Sequence, residues 1–437
     1  MRRVNGERLC IVGGGSAYMP GIAYALAAHH ATFAGSTVVL HDIDAEALDL
    51  QRRLTTSILR SRGADDIMID TQGDRVAAIE GATIVLTAFR PGGFPARHLD
   101  ERIAIDHGII GQETAGPGGF AMALRSVPLL LEIATEVHQH AAPDAWLLNY
   151  TNPVQLVSEA MHRCGPPVRY LGLCDQTAGE QRLLGHLLGE DPGRVELDTA
   201  GVNHMTFTRA VRIGGLDATE RVWARIDAAT SGEVEGPGWW RVVRLFRLLR
   251  VIPSLYMQYF LCHEEVLGEM RAAGRTRAEE IMAILPDVVA SYRREADADH
   301  PRPSMARASE EHGDFAVAIA AALRSGDRHR VILNLPNEGQ VEDLPRGAIV
   351  ETPATIEAGQ VHPIAQGSLP PDVSGLVRQV AAHAAAAAEA AVTGDRASAI
   401  RALAIHPLVR DLDTATSLTD AYLSAHRRLL PRFARGA

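Results

Sequence analysis

The chain has 437 residues, 46% of them hydrophobic, and a formal net charge of −10. That length exceeds what one growing core accommodates, so two domains or one large elaborated unit are expected. The acidic balance, with no basic run, argues against a nucleic-acid or membrane-surface binder. No segment is apolar for long enough to span a bilayer, and no secretory apolar region follows the start. Four cysteines, Cys10, Cys164, Cys174 and Cys262, lack the close spacing of a disulfide framework. The expectation is a cytoplasmic protein.

In chain order, Leu9–Val12 is an apolar strand that runs into Gly13-Gly14-Gly15-Ser16, and a helical run extends from Gly21 to Ala28. Thr37–His41 is a second strand, and it ends on Asp42. Strand, glycine turn, helix, strand and acid in this order predict a dinucleotide site. Gly13 permits the tight turn, and Gly15 and Ser16 lie where backbone approaches a pyrophosphate. Asp42 accepts a ribose diol, which favours NAD over its phosphorylated form. Tyr18 stands where the third glycine of the fingerprint belongs.

Further strands are predicted at Thr83–Thr87, Ala145–Asn149 and Val168–Leu173, with helical periodicity at Leu129–Val137 and Val154–Met161. The fold class is therefore α/β, a Rossmann-type doubly wound parallel sheet over residues 1–200. A mixed α+β, largely helical domain follows over 201–437, with strands at Val195–Val202 and Arg209–Ile213, an extended stretch Val331–Glu351, and helix from Val373 to Phe433.

Ligands in such sheets bind beyond the carboxyl ends of the strands. Those ends carry Arg90 with Arg97 and Arg102 behind it, Asn149 to Pro153, Cys174-Asp175 and Asn203-His204. Cys174 and His204 would give a metal one thiolate and one imidazole and leave positions open for substrate. Taken singly, each is more often a buried apolar cysteine or a satisfied histidine. Gly111–Gly119 is a loop ahead of a helix near Phe120, able to approach a ligand or simply to turn. Tyr256 and Tyr259 share a helical face, as catalytic groups or as packed aromatics.

The glycine turn, Gly111–Gly119 with Ala123-Leu124-Arg125-Ser126, Thr151-Asn152-Pro153, Leu171–Asp175, Gly201–His204, Leu335–Gly339 and Ala391–Asp395 together resemble the family-4 glycoside hydrolases. The resemblance implies a redox route to hydrolysis. NAD oxidises carbon 3 of the sugar, the carbon 2 proton is removed, the aglycone is eliminated, water adds, and the ketone is reduced again. It implies Cys174 and His204 as ligands of a divalent metal, commonly Mn²⁺, and Tyr256 as the carbon 2 base, with Tyr259 as the alternative. It further implies Glu113 as an acidic neighbour of that base, Asp175 as general acid, and Arg97, Asn152 and, more weakly, Arg277 as substrate contacts.

The substrate implied is a small phosphoglycoside, and the assembly a homodimer or homotetramer. Asp175 after the cysteine matches members acting on α-linked phosphoglucosides, whereas Gly116–Phe120 with Ala123–Arg125 matches the β group. The longer stretch favours a 6-phospho-β-glucosidase. Thr177 and Gln155 replace the family's usual proline and glycine. A 2-hydroxy-acid dehydrogenase shares the nucleotide fold and an Asn-Pro at the same strand end, but the required histidine context beside Asp175 and Arg182 is missing. A non-catalytic NAD sensor is the remaining alternative.

Overall fold

The computed structural model describes residues 6–307 and 310–435. Six parallel strands form the first part of the main sheet: β1 (Arg8–Val12), β2 (Thr37–His41), β3 (Met68–Thr71), β4 (Ile84–Thr87), β5 (Trp146–Asn149) and β6 (Arg169–Gly172). The runs in β4 and β5 are wholly buried, as a sheet covered on both faces requires. β3 was not anticipated. Met68 and Asp70 are exposed on it, so the edge strand lacks the apolar run that marks its neighbours.

Beyond β6 the chain leaves the sheet. A small antiparallel sheet takes β7 (Val195–Val202), β8 (Met205–Ile213), β9 (Leu216–Asp217) and β10 (Ile252–Pro253). β8 begins at Met205, four residues before the predicted start. Thr206 and Thr208 are buried within the small sheet, so polar sequence there conceals the strand. β11 (His329–Pro336), β12 (Ile349–Glu357) and β13 (Gln360–Pro363) then return to the first sheet, whose order is β13-β12-β11-β6-β5-β4-β1-β2-β3. The last parallel strand ends at Gly172, residue 200 falls inside β7, and the main sheet draws three antiparallel strands from beyond that point.

Helix Glu310–Ser325 also crosses back, onto helix Met19–Ala28 behind the glycine turn. A methyl group on Gly313 would lie 2.1 Å from the Gly21 carbonyl, so only glycine permits this crossing. The C-terminal segment divides into helices Pro371–Thr393, Arg396–Ala404 and Leu412–Ala425. In the first of these, Ala384, Ala387, Ala388 and Ala391 are buried in the core shared with helices Pro117–His140 and Val154–Cys164. Small side chains allow those helices to approach closely.

Candidate active site

At the end of β1 the amides of Gly13 and Gly14 both donate to the His41 carbonyl, at 2.9 Å. A Cβ on Gly13 would lie 2.4 Å from the Ala88 carbonyl oxygen, and one on Gly14 2.8 Å from the Leu40 Cβ. Gly13 has φ of 99°, a conformation open to glycine. The Gly15 amide donates to Asp42 at 2.9 Å, which fixes the carboxylate at the end of β2 beside the turn. Ser16 donates its amide to Gly13, and its hydroxyl accepts from the Tyr18 amide. Helix Met19–Ala28 begins directly afterwards. This cradle fits a dinucleotide: side-chain-free backbone, a helix N-terminus and a fixed acid at the second strand. Tyr18, in the place of the third glycine, lies under the Arg307 guanidinium, which also donates to its hydroxyl at 2.7 Å.

On the other side of the strand ends, Cys174 follows β6, and Asn203-His204 is the two-residue turn between β7 and β8. The structure brings them together: Cys174 Sγ and His204 Nε2 are 3.4 Å apart and buried. Donor–metal bonds of about 2.0–2.3 Å, meeting at about 90–110°, separate a sulfur and a nitrogen on one ion by about 3.1–3.6 Å. The pair therefore fits a shared cation. Among the described residues no group of three or more His, Cys, Asp or Glu side chains gathers to hold an ion. A cation here would keep positions for substrate oxygens, as a catalytic rather than a structural metal does.

The electrostatics agree. Burial, then the charges of Glu351 and Asp175, push the Cys174 thiol well above its ordinary value, and burial lowers the His204 imidazole to about 4. A neutral imidazole is the form that ligates, and a divalent ion reverses the penalty on the thiolate.

The Tyr256 ring stacks on His204, with centroids 3.7 Å apart and planes 2° from parallel. Tyr259 meets Tyr256 edge-on at 5.7 Å. Ser254 accepts from the Tyr256 amide and sets the short turn that carries it. Burial raises the Tyr256 phenol, and Tyr259, Cys174, Glu113 and Asp175 add to the rise.

Glu113, in the glycine-rich loop, pairs with Arg90 and, at 3.0 Å, with Arg97. Burial favours its neutral form, but these two guanidiniums outweigh that and hold its carboxyl below the usual range. Arg97 also donates to Glu101 at 2.6 Å, and Glu101 accepts from the Ala278 amide. The loop itself is tight. Gln112 Oε1 accepts from the Thr114 amide, and a Cβ on Gly119 would lie 2.7 Å from the Thr114 carbonyl oxygen. The helix after it starts at Pro117 rather than Phe120. Arg125 on that helix forms a buried pair with Asp100, which also meets His426 at 2.7 Å, locking the helix that bears Arg97.

Asp175 precedes helix Gln176–Leu188, and its charge bears on Cys174, Tyr256 and Tyr150. Asn152 is half-buried after β5, where Thr151 accepts from the Phe89 amide and ties the ends of β4 and β5 together. Two arginines fall elsewhere. The Arg277 side chain is 60% exposed and pairs with Glu280 at 2.7 Å, and Arg102 lies 3.6 Å from Glu279. Both are drawn to acids on helix Arg277–Glu295 rather than to Glu113. A cavity of about 520 Å³ beside β7, β8 and β11 is lined by Arg212 and Arg330, both paired with Asp198, and shares no residue with this cluster.

The sequence reading passed over Glu351. It is fully buried in β12 behind the Asn203-His204 turn, whereas the strand's other acid, Glu357, is exposed at its end, and a charge inside the apolar part of the run was the available signal.

A family model described as "Family 4 glycosyl hydrolase" matches residues 8–190, and one for that family's C-terminal domain matches 199–409. A protein of Bacillus subtilis (strain 168) described as a probable 6-phospho-beta-glucosidase is 33% identical over 98% of each chain. The solved 6-phospho-beta glucosidase of Thermotoga maritima, with manganese, NAD+ and glucose-6-phosphate, superposes with a TM-score of 0.87 at 26% identity. That superposition covers 97% of this chain and 99% of the other. Malate dehydrogenase of Plasmodium falciparum, in complex with NADH, shares the fold, with a TM-score of 0.52 at 11% identity, covering 88% of this chain and 98% of that one. The chain belongs to family 4 of the glycosyl hydrolases.

Proposed function

We propose that this glycosidase is a 6-phospho-β-glucosidase that uses NAD and a divalent ion, Mn²⁺ by preference. The observation that carries the reading is the 3.4 Å approach of Cys174 to His204 with Tyr256 stacked on the same imidazole. When bound, the nicotinamide would accept and return the hydride of carbon 3, and the cation would stabilise negative charge on the neighbouring sugar oxygens. Cys174 and His204 hold the cation. Tyr256 takes the proton from carbon 2. Its phenol is raised in the bare chain and falls when a cation neutralises the acids around it. Tyr259, edge-on to Tyr256, supports that residue rather than replacing it.

Asp175 hands a proton to the leaving oxygen. Arg97 and Arg90 keep Glu113 ionised beside Tyr256, and Arg97 and Asn152 orient the sugar. Gly13, Gly15, Ser16 and Asp42 hold NAD. Arg277, exposed and paired with Glu280, contributes little to substrate in a single chain.

The α-linked specificity remains a second reading because Asp175 directly follows Cys174, the pairing that resembles the α-acting members. A panel of α- and β-nitrophenyl glucosides, with and without 6-phosphate, assayed with NAD⁺ and Mn²⁺, decides between them. Preferential cleavage of the phosphorylated β-glucoside is expected, and net NADH formation from a hydroxy acid would sink the glycosidase reading. No helix among the described residues is long and apolar enough to cross a membrane. The same proposal makes the protein a cytoplasmic homodimer or homotetramer, which light scattering on the purified chain tests.

A further inference from the structure

His204 has φ of 65°, in the left-handed region. For a residue with a side chain that conformation is unfavourable, and it persists where the surroundings hold it. Two buried side chains grip this turn from behind, and neither takes part in the chemistry above. Gln155 accepts from the Asn203 amide at 3.0 Å, and its own amide group donates to the Ile349 carbonyl at 3.0 Å. Glu351 Oε1 accepts from Asn203 Nδ2 at 2.8 Å and from Asn334 Nδ2 at 3.2 Å.

These partners join the two halves of the site. Asn334 pairs across the sheet with Glu351 on β12 and with Gly172 on β6, two residues before Cys174. One carboxylate therefore ties the turn that carries the imidazole to the strand end that carries the thiol. Glu351 is fully buried, and no cationic side chain is among its hydrogen-bond partners. Its second oxygen and Asn334 Oδ1 are buried without a hydrogen-bond partner among the described residues. A carboxylate so placed is costly unless positive charge stands near it. Gln155 also occupies the position where the resemblance calls for glycine, so its half of the grip requires the side chain this sequence supplies.

We propose that Glu351 and Gln155 are positioning residues for the metal centre, clamping the Asn203-His204 turn so that the imidazole meets Cys174 at ligating distance. The inference rests on the reading of Cys174 and His204 as metal ligands. Outer partners of this kind change metal affinity by about 10–100-fold when removed.

The test titrates the NAD-loaded full chain with Mn²⁺ and follows free and bound ion by electron paramagnetic resonance, with the melting temperature and NAD affinity measured beside it. Cys174→Ala serves as the ligand control. Glu351→Ala is expected to weaken Mn²⁺ binding by about 10–100-fold and to alter the bound-ion spectrum, while NAD affinity holds. Glu351→Gln keeps an acceptor for Asn203 and should recover most of the affinity and the spectrum. Gln155→Ala should lose about tenfold.

Wild-type affinity and spectrum in Glu351→Ala and Gln155→Ala would overturn the clamp. Loss of Mn²⁺ binding only in proportion to lost NAD binding and melting temperature would overturn it too. Should Glu351→Ala fail to fold, Gln155→Ala decides, and unchanged Mn²⁺ affinity there overturns the proposal. A wild type that binds no Mn²⁺, or a Cys174→Ala variant that binds it normally, would overturn the metal reading and this inference with it.

Discussion

At Gly13–Ser16 the backbone makes the site, whereas at Cys174 and His204 side chains from several distant segments make it. The turn needs a strand, glycines without room for a Cβ, and one acid 27 residues from the last glycine. The other end draws on Glu113, Cys174, His204 and Tyr256, and on Gln155 and Glu351 behind them. The first arrangement rests on backbone and tolerates change in most side chains. The second concentrates buried charge in a small volume, and there chemistry can be made specific. Malate dehydrogenase is alike in fold at a TM-score of 0.52, and a fold alone does not fix the chemistry.

The strongest way to break this contrast is to remove the thiolate. Cys174→Ser should lower kcat on the chromogenic phosphoglucoside by about 10³-fold or more, since a metal's charge stabilisation is worth several kcal/mol. NAD affinity, measured by calorimetric titration, should stay within about threefold, a change of under 1 kcal/mol. Equal losses in both measurements would mean that the two ends are not separately built. Next in size, Tyr256→Phe should cost about 10²–10³-fold in kcat, within the range for a lost general base. Tyr259→Phe should cost at most about tenfold, or 1.4 kcal/mol. The reverse order would move the base to Tyr259.

Legibility followed the same divide. β1, β2, β4, β5 and β6 announce themselves as short apolar runs because both faces of the sheet are covered. Asp42 could be placed although it lies 27 residues from Gly15, because the order strand, glycine turn, helix, strand brings the end of β2 beside the turn. Cys174 and His204 could be suspected from their strand ends. The stacking of Tyr256 on His204, 52 positions later in the chain, obeys no local period and could not be read directly. Arg90, Arg97 and Arg102 looked alike in sequence. They separate only when Glu113 captures the first two and Glu279 lies nearest the third. Glu351 stayed hidden because it ends the extended stretch expected at Val331–Glu351, and a buried acid there gains meaning only from its partners across the sheet.

The loop of the side-chain-built end packs against a pair of buried histidines that makes stability sensitive to acid. His383 is buried edge-on against His406, whose ring interacts with the Ala115 backbone of the loop bearing Glu113. Burial depresses the His383 imidazole from 6.5 to about 4. Between those values the unfolded chain takes up a proton that the folded chain refuses. The contribution to stability is therefore complete above about pH 6.5 and is lost as pH falls toward 4, about 3 kcal/mol in all. Urea denaturation of the cation-free chain across this window should show the decline. His383→Asn, which keeps a donor for the Ala402 carbonyl, should make the decline shallower, and an unchanged slope would remove His383 as its source.

A small effect is expected at the turn, and it sharpens the contrast most. Asp42 already accepts the amides of Gly15 and Asp44, at 2.9 and 3.1 Å, so its carboxylate is fixed by backbone before any ligand arrives. Asp42→Asn removes the charge but keeps one acceptor, and should weaken NAD binding by about tenfold, or 1.4 kcal/mol. The same change should narrow discrimination against the 2′-phosphorylated cofactor, because the repulsion that excludes it has gone. Calorimetric titration with both cofactors measures the two effects together. If NAD affinity falls while the ratio between the cofactors stays constant, Asp42 acts by shaping the glycine turn rather than by facing the ribose. The specificity of this end would then also lie in its backbone.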